Sequence, residues 1–185
     1  MTNIAGAILA GGKSSRMGED KADLQLHGKN LLEIMRQILN ASGMKDIYIS
    51  SPNNIKDIIA NCGPLSGVHA ILNNISDEYD YVLFIPIDMP ELKVNLLKKL
   101  ILAAEEKADL IYFTSHRMPF ILKNEKKWLK LVQEILLNEN NFSLGYFQSK
   151  IANQQQIKIS SDEEKFFNNI NTPLEWKKFK KGEKV

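Results

Sequence analysis

Short, wholly apolar runs alternate with amphipathic stretches along this chain. Residues 4–9, Ile-Ala-Gly-Ala-Ile-Leu, carry no polar side chain and read as a strand buried on both faces, as in a parallel sheet. Residues 81–85, Tyr-Val-Leu-Phe-Ile, repeat that pattern, and 46–50 and 110–114 add two more strands. Between them apolar side chains recur at helical spacing: Leu31, Leu32, Ile34, Met35, Ile38 and Leu39, with Gly43 as a stop. Leu65, Val68, Ile71 and Leu72 do the same in a helix predicted over 64–75. Further helices are predicted over 92–106 and 126–137, with strands over 117–122 and 156–159. A last helix is predicted over 173–179, with Thr172 as its cap and Pro173 at its first position. Residues 138–153 show no clear period and read as a mobile loop.

Strand–helix alternation of this kind predicts a three-layer α/β/α arrangement around a mostly parallel, twisted sheet. The length of 185 residues suits one domain, over 1–185, and 44% hydrophobic against 25% charged residues is enough to bury one core. No repeat or linker divides it. In such sheets ligands bind outside the carboxyl ends of the strands.

Charge and cysteine content exclude several classes. A net charge of +2 is too weak to make nucleic acid the main partner. The run Lys177-Lys178-Phe179-Lys180-Lys181 reads as a solvated helix end. Cys62 is the sole cysteine, so neither an internal disulfide nor a Cys-only zinc site can form. No run of about 18 apolar residues is present to span a membrane. No signal-peptide pattern precedes the first strand, and the expected compartment is the cytoplasm.

Candidate chemistry gathers after two strands. Behind the first comes Leu9-Ala10-Gly11-Gly12-Lys13-Ser14-Ser15-Arg16-Met17-Gly18-Glu19-Asp20-Lys21. Adjacent glycines let the backbone turn sharply and bring its N–H groups to a phosphate, and Arg16 and Lys21 add fixed positive charge. It is not a Walker loop, because the position that needs the first glycine is Ala7, and G-x-G-x-x-G is absent. Behind the third strand, Asp88 stands between Pro86 and Pro90. A carboxylate at a strand's carboxyl end faces the ligand crevice and suits Mg²⁺, which takes such an oxygen together with substrate phosphates. None of His27, His69 or His116 is needed for chemistry on phosphates, and each reads as a surface or packing residue.

Together these segments resemble the MobA family, the molybdenum cofactor guanylyltransferases. The resemblance rests on Leu9-Ala10-Gly11-Gly12 with Ser15-Arg16-Met17-Gly18 and Asp20-Lys21, then Gly63-Pro64-Leu65-Ser66-Gly67, Ile85-Pro86-Ile87-Asp88-Met89-Pro90 and Asn169-Ile170-Asn171-Thr172-Pro173. It implies a Rossmann-like nucleotidyltransferase fold. The implied reaction transfers GMP from GTP to Mo-molybdopterin, giving the guanine dinucleotide and pyrophosphate. Carried over position by position, it implies nucleotide contacts from Leu9, Ala10, Gly11, Gly12, Lys21, Ser50, Asp57, Gly63, Pro64, Leu65, Gly67 and Asp88. Arg16, Lys21 and Asp88 are implied as catalytic, Asp88 as the Mg²⁺ ligand, and Arg117, Pro119, Asn169 and Asn171 as acceptor-binding.

The chain departs from the family pattern at Ser50, where members often carry Asn, at Asn30, where Pro is usual, and in the short stretch 51–56. Small-molecule substrates are the implied partners, with transient contact to molybdenum-insertion proteins and apo-molybdoenzymes, no nucleic acid, no membrane, and a monomeric or weakly oligomeric state. A cytidylyltransferase or a sugar-phosphate nucleotidyltransferase is the rival within the superfamily. A non-catalytic carrier of the cofactor is the rival outside it.

Overall fold

The computed structural model describes residues 2–11, 21–26, 28–59 and 62–182. Predicted site residues Gly12 and Arg16, the rest of 12–20, and His27 lie outside them. Strand β1 (Ile4–Leu9) is followed by a 3-10 turn at Lys21–Asp23 and a short hairpin, β2 (Gln25–Leu26) and β3 (Lys29–Asn30). Then come α1 (Leu31–Ala41), β4 (Ile47–Ser50), α2 (Pro64–Leu72), β5 (Tyr81–Pro86) and α3 (Val94–Ala103). A second half adds β6 (Leu110–Phe113), β7 (Phe120–Lys123), α4 (Lys126–Asn138), α5 (Leu144–Ser149), β8 (Gln154–Ile157) and α6 (Pro173–Lys180).

Six strands form one sheet in the order β4-β1-β5-β7-β6-β8. β7 runs antiparallel to β5 and β6, and the other pairings are parallel. Every residue of β1 and β5 is buried. Successive side chains of a strand point to opposite faces, so both faces of the sheet are covered there. α1 packs with α3, and α2 with α4 and α5, which gives the two helical layers. The fold is therefore α/β with a mixed, mostly parallel sheet.

Local chemistry sets the helix ends. Asn30 Oδ1 accepts the Glu33 N–H at 2.8 Å and starts α1, whose Leu31, Met35 and Leu39 are buried at four-residue spacing. Gly63, at φ 64°, turns the chain into α2 with Pro64 at the first helical positions. Thr172 caps α6 in a reciprocal exchange with Glu175.

Several elements differ from the sequence reading. Residues 138–153, read as a mobile loop, contain α5, with Leu144, Phe147 and Gln148 buried and Ser143 capping it through the Tyr146 N–H. Six residues are too few for helical periodicity to show. The strand expected over 117–122 begins only at Phe120, after a cis Met118–Pro119 bond. β8 lies slightly earlier than expected and is mostly glutamine. The helix predicted over 64–75 ends at Leu72, and that over 92–106 finishes as a 3-10 turn, Ala104–Glu106.

α2 sits hard against the end of β4. A Cβ added to Gly67 would stand 2.8 Å from Ser50 Oγ and 3.1 Å from Leu9 Cδ2. Gly67→Ala gains about 1 kcal/mol in helix propensity, but overpacking costs about 1–3 kcal/mol. Ser50 cannot rotate freely to relieve it, being fully buried and bonded to Asp57. The expected net loss of stability is read as a lower urea midpoint at unchanged slope. A raised midpoint would show that the contact is slack.

Candidate functional site

β1 is flanked by β4 on one side and β5 on the other; the connection after β1 runs to β4, and the one after β5 runs the opposite way along the sheet, to β6. Leu9 is level with Ser50 and with Pro86, and the three strands end together. The Ile87 N–H donates to Leu9 O at 3.1 Å, carrying the ladder one residue past β5. Asp88 is the next residue and leaves the sheet at the rim of a cleft of about 520 Å³. That volume is in the range of small-molecule sites.

Asp88 meets two distant segments there. Lys21 Nζ lies 3.2 Å from Asp88 Oδ2 and donates to Asn171 Oδ1 at 2.8 Å, across sequence separations of 67 and 150 residues. The Lys21 and Asp88 side chains are only 15% and 18% exposed. The backbone closes the same junction, since the Ile170 N–H donates to Asp88 O at 2.9 Å. Asp88 Oδ1 is buried and has no hydrogen-bond partner among the described residues. A carboxylate oxygen left so is costly and invites a cation or a donor.

One wall of the cleft is backbone. Leu9, Ala10 and Gly11 line it beside Gly63 and Pro64. Behind Gly11, Ser50 Oγ donates to Asp57 Oδ1 at 3.1 Å. A Cβ on Gly11 would lie 3.4 Å from Ser50 Oγ and 3.5 Å from both Asp57 oxygens, so glycine keeps a side chain off that pair, which stands behind the lining rather than in it. Burial raises the Asp57 carboxyl above the usual carboxylate range, against a smaller lowering from the Ser50 hydroxyl. Leu65 is fully buried in the core and Gly67 packs against Ser50 and Leu9, so neither lines the cleft.

The opposite wall comes from 115–118, Leu144, Phe167 and Asn169. Arg117 reaches over the Tyr112 ring, 5.6 Å from its centroid, and its carbonyl accepts from the buried Gln148 Nε2 at 3.0 Å. Pro119 is buried and does not line the cleft. Asn171 acts at the cleft through Lys21 rather than as part of its lining.

His116, which the sequence assigned to surface or packing, stands in this wall. Its ring stacks on Phe167 with centroids 4.1 Å apart and 18° between planes, and Nε2 lies 2.8 Å from Glu164 Oε2. Those partners lie in a 3-10 turn, Glu164–Phe167, far along the chain, and nothing local to residue 116 announces them. The helix α5, unread in the sequence, likewise supplies Leu144 to the lining and Gln148 to Arg117.

Comparison with known proteins gives a consistent answer. The family model described as the MobA-like NTP transferase domain matches residues 6–144. A molybdenum cofactor guanylyltransferase of Xanthomonas euvesicatoria is 31% identical, covering 92% of this chain and 91% of that protein. One from Yersinia pestis is 33% identical over 98% of each. Among solved structures, the molybdopterin-guanine dinucleotide biosynthesis protein A of Archaeoglobus fulgidus superposes with a TM-score of 0.69 at 19% identity, over 96% of this chain and 97% of that one. With Leu9 to Gly11 and the strand-end aspartate lining one cleft at the edge of a mixed, mostly parallel sheet, the chain belongs to the MobA-like NTP transferase family and is a nucleotidyltransferase.

Proposed function

We propose that the protein is a molybdenum cofactor guanylyltransferase: it transfers GMP from GTP to Mo-molybdopterin and releases pyrophosphate. The observation that carries this reading is the Lys21–Asp88 contact, 3.2 Å long, at the mouth of a cleft walled by backbone on one side and by Arg117 and His116 on the other. The names of relatives at about 30% identity support the guanine and pterin assignments.

The residues present fit a magnesium ion. Mg²⁺ commonly takes one or two protein carboxylates and completes its shell with water and phosphate oxygens. Asp88, with Oδ1 unpartnered among the described residues, suits that role, and no cluster of three or more ligating side chains is found among those residues. When bound, the ion neutralises triphosphate oxygens and holds them in line.

The chain's own residues do the rest. Lys21 places its ammonium beside the α-phosphate, and Arg16 keeps the second positive charge that its motif gives it. Leu9 to Gly11 offer backbone to the nucleotide, and Arg117 on the opposite wall is the cation available to the acceptor's terminal phosphate. An oxygen of that phosphate bonds to the α-phosphorus. The bond from the α-phosphorus to the oxygen bridging it to the β-phosphorus breaks, and its electron pair leaves with pyrophosphate. The attacking oxygen is already anionic at neutral pH, so no side chain needs to remove a proton. Catalysis is then alignment and charge neutralisation.

Base choice is assigned to Asp57. Guanine presents two neighbouring donors on its pairing edge, and a carboxylate accepts both, whereas cytosine presents only one donor there. Asp57 stands behind Gly11, where the lack of a Cβ removes a side chain that would otherwise lie 3.5 Å from both carboxylate oxygens.

Pyrophosphate release from purified protein, Mg²⁺, Mo-molybdopterin and each of four nucleoside triphosphates tests the reading. GTP is expected to be preferred. Preference for CTP would move the enzyme to the cytidylyl class, and release with none would favour a carrier. Lys21→Ala is expected to lower kcat by about 10²–10³-fold, the range for a single preorganised electrostatic group. A change confined to KM would remove Lys21 from the reacting phosphate.

Asp57→Asn is expected to separate stability from function. The carboxyl's raised pKa means that its ionised form is disfavoured in the fold relative to the unfolded chain. Stability from this group is therefore present at low pH and lost as pH rises through the folded value. At pH 7 the neutral amide should raise Tm slightly while weakening the preference for GTP. A lowered Tm at pH 7 would show that the ionised carboxylate is held more by Ser50 than it is penalised by burial.

A further inference from the structure

Glu175 sits on the first turn of α6 and does not line the cleft, yet its carboxylate reaches the segment that does the holding there. Its Oε2 accepts the backbone N–H of Asn171 at 2.7 Å and of Thr172 at 3.0 Å, while Thr172 Oγ1 accepts the Glu175 N–H at 3.2 Å. A capping box needs only the two bonds exchanged with Thr172. The shortest of the three goes one residue beyond it, to Asn171, whose carboxamide oxygen holds Lys21. One residue before, Ile170 is tied to the carbonyl of Asp88. Residues 170–171 are thus fastened to Asp88 at one end and to Glu175 at the other.

The charge of Glu175 is well suited to the task. The Asn171 N–H is the main cause that holds its carboxyl below the usual range, with Thr172 and the positive charge of Lys21 adding to it against burial. It stays ionised at neutral pH, and a carboxylate makes the stronger bond to a backbone N–H.

We propose that Glu175 is a positioning residue for the reaction: by clamping the Asn171 backbone it fixes the carboxamide that keeps Lys21 beside Asp88. The two charges that a metal-bound triphosphate needs are then set before the nucleotide arrives. The inference rests on the transferase reading of the Lys21–Asp88 pair. It makes Glu175, a residue outside the cleft lining, matter to turnover and not merely to the helix.

Thr172→Ala removes the other half of the cap and leaves the Glu175–Asn171 bond, so it controls for helix stability. The test compares E175A, E175Q and T172A in the full-length protein, by Tm and by pyrophosphate release with Mg²⁺, GTP and Mo-molybdopterin, with a crystal structure of E175A. Expected is a fall in kcat of about tenfold or more for E175A, with T172A within about twofold of the parent at a similar loss of Tm. E175Q keeps an oxygen for the Asn171 N–H and is expected to recover to within about threefold. Equal kcat losses in E175A and T172A, or parental kcat in E175A, would overturn the inference. A parent that releases no pyrophosphate sinks the transferase reading instead. The E175A structure then decides on the positioning role: Lys21 withdrawn from Asn171 upholds it, and an unchanged contact refutes it.

Discussion

An ammonium and a carboxylate lie 3.2 Å apart at the mouth of a small cleft, with about five-sixths of each side chain shielded from water. Neither would be comfortable there alone, because a partly buried charge without a partner is expensive. Their pairing offsets that cost and sets a cation beside an anion where the proposed metal-bound triphosphate would bind. The pair also joins three regions of chain: the segment after β1, the turn after β5, and the strip before α6 that supplies Asn171 and the Ile170 N–H. Release the pair, and the rim of the cleft loses its common anchor.

The sheet makes this meeting possible. β1 and β5 run side by side in parallel and end level, so whatever follows them emerges on one edge. From that edge the connections run apart along the sheet, β1 leading to β4 on one side and β5 to β6 on the other, which leaves a crevice between them. β7, antiparallel to both its neighbours, has its amino-terminal end at the same edge and brings the 115–118 segment to the cleft that Leu9 to Gly11 also line. The two walls differ in kind. Small residues and exposed backbone suit phosphates and a flat base on one side, while Arg117, His116 and Phe167 suit a larger anionic acceptor on the other.

Much of this was legible in the sequence where burial was complete and regular. The apolar runs at 4–9 and 81–85 have no alternative to a doubly covered strand, and β1 and β5 lie there. Thr172-Pro173, as cap and first residue, announced α6. Helix α5 was not legible, because its six residues carry too little period and its burial comes from distant packing. The place of His116 was hidden for a similar reason, since Phe167 and Glu164 reach it only through the fold. Motif resemblance named Leu65, Gly67 and Pro119 for binding. In the fold none of the three lines the cleft, because a motif records which residues a site requires without saying which of them face the ligand. Gly12 and Arg16 lie outside the described residues.

A crystal grown with Mn²⁺ and a non-hydrolysable GTP analogue puts the Lys21–Asp88 pair to the test, because anomalous scattering locates the metal independently of the chain. Expected are a manganese peak bonded to a carboxylate oxygen of Asp88, phosphate oxygens on the same metal, and Lys21 moved from the aspartate to a phosphate. Metal and nucleotide bound elsewhere, with the Lys21–Asp88 contact still closed, would contradict it.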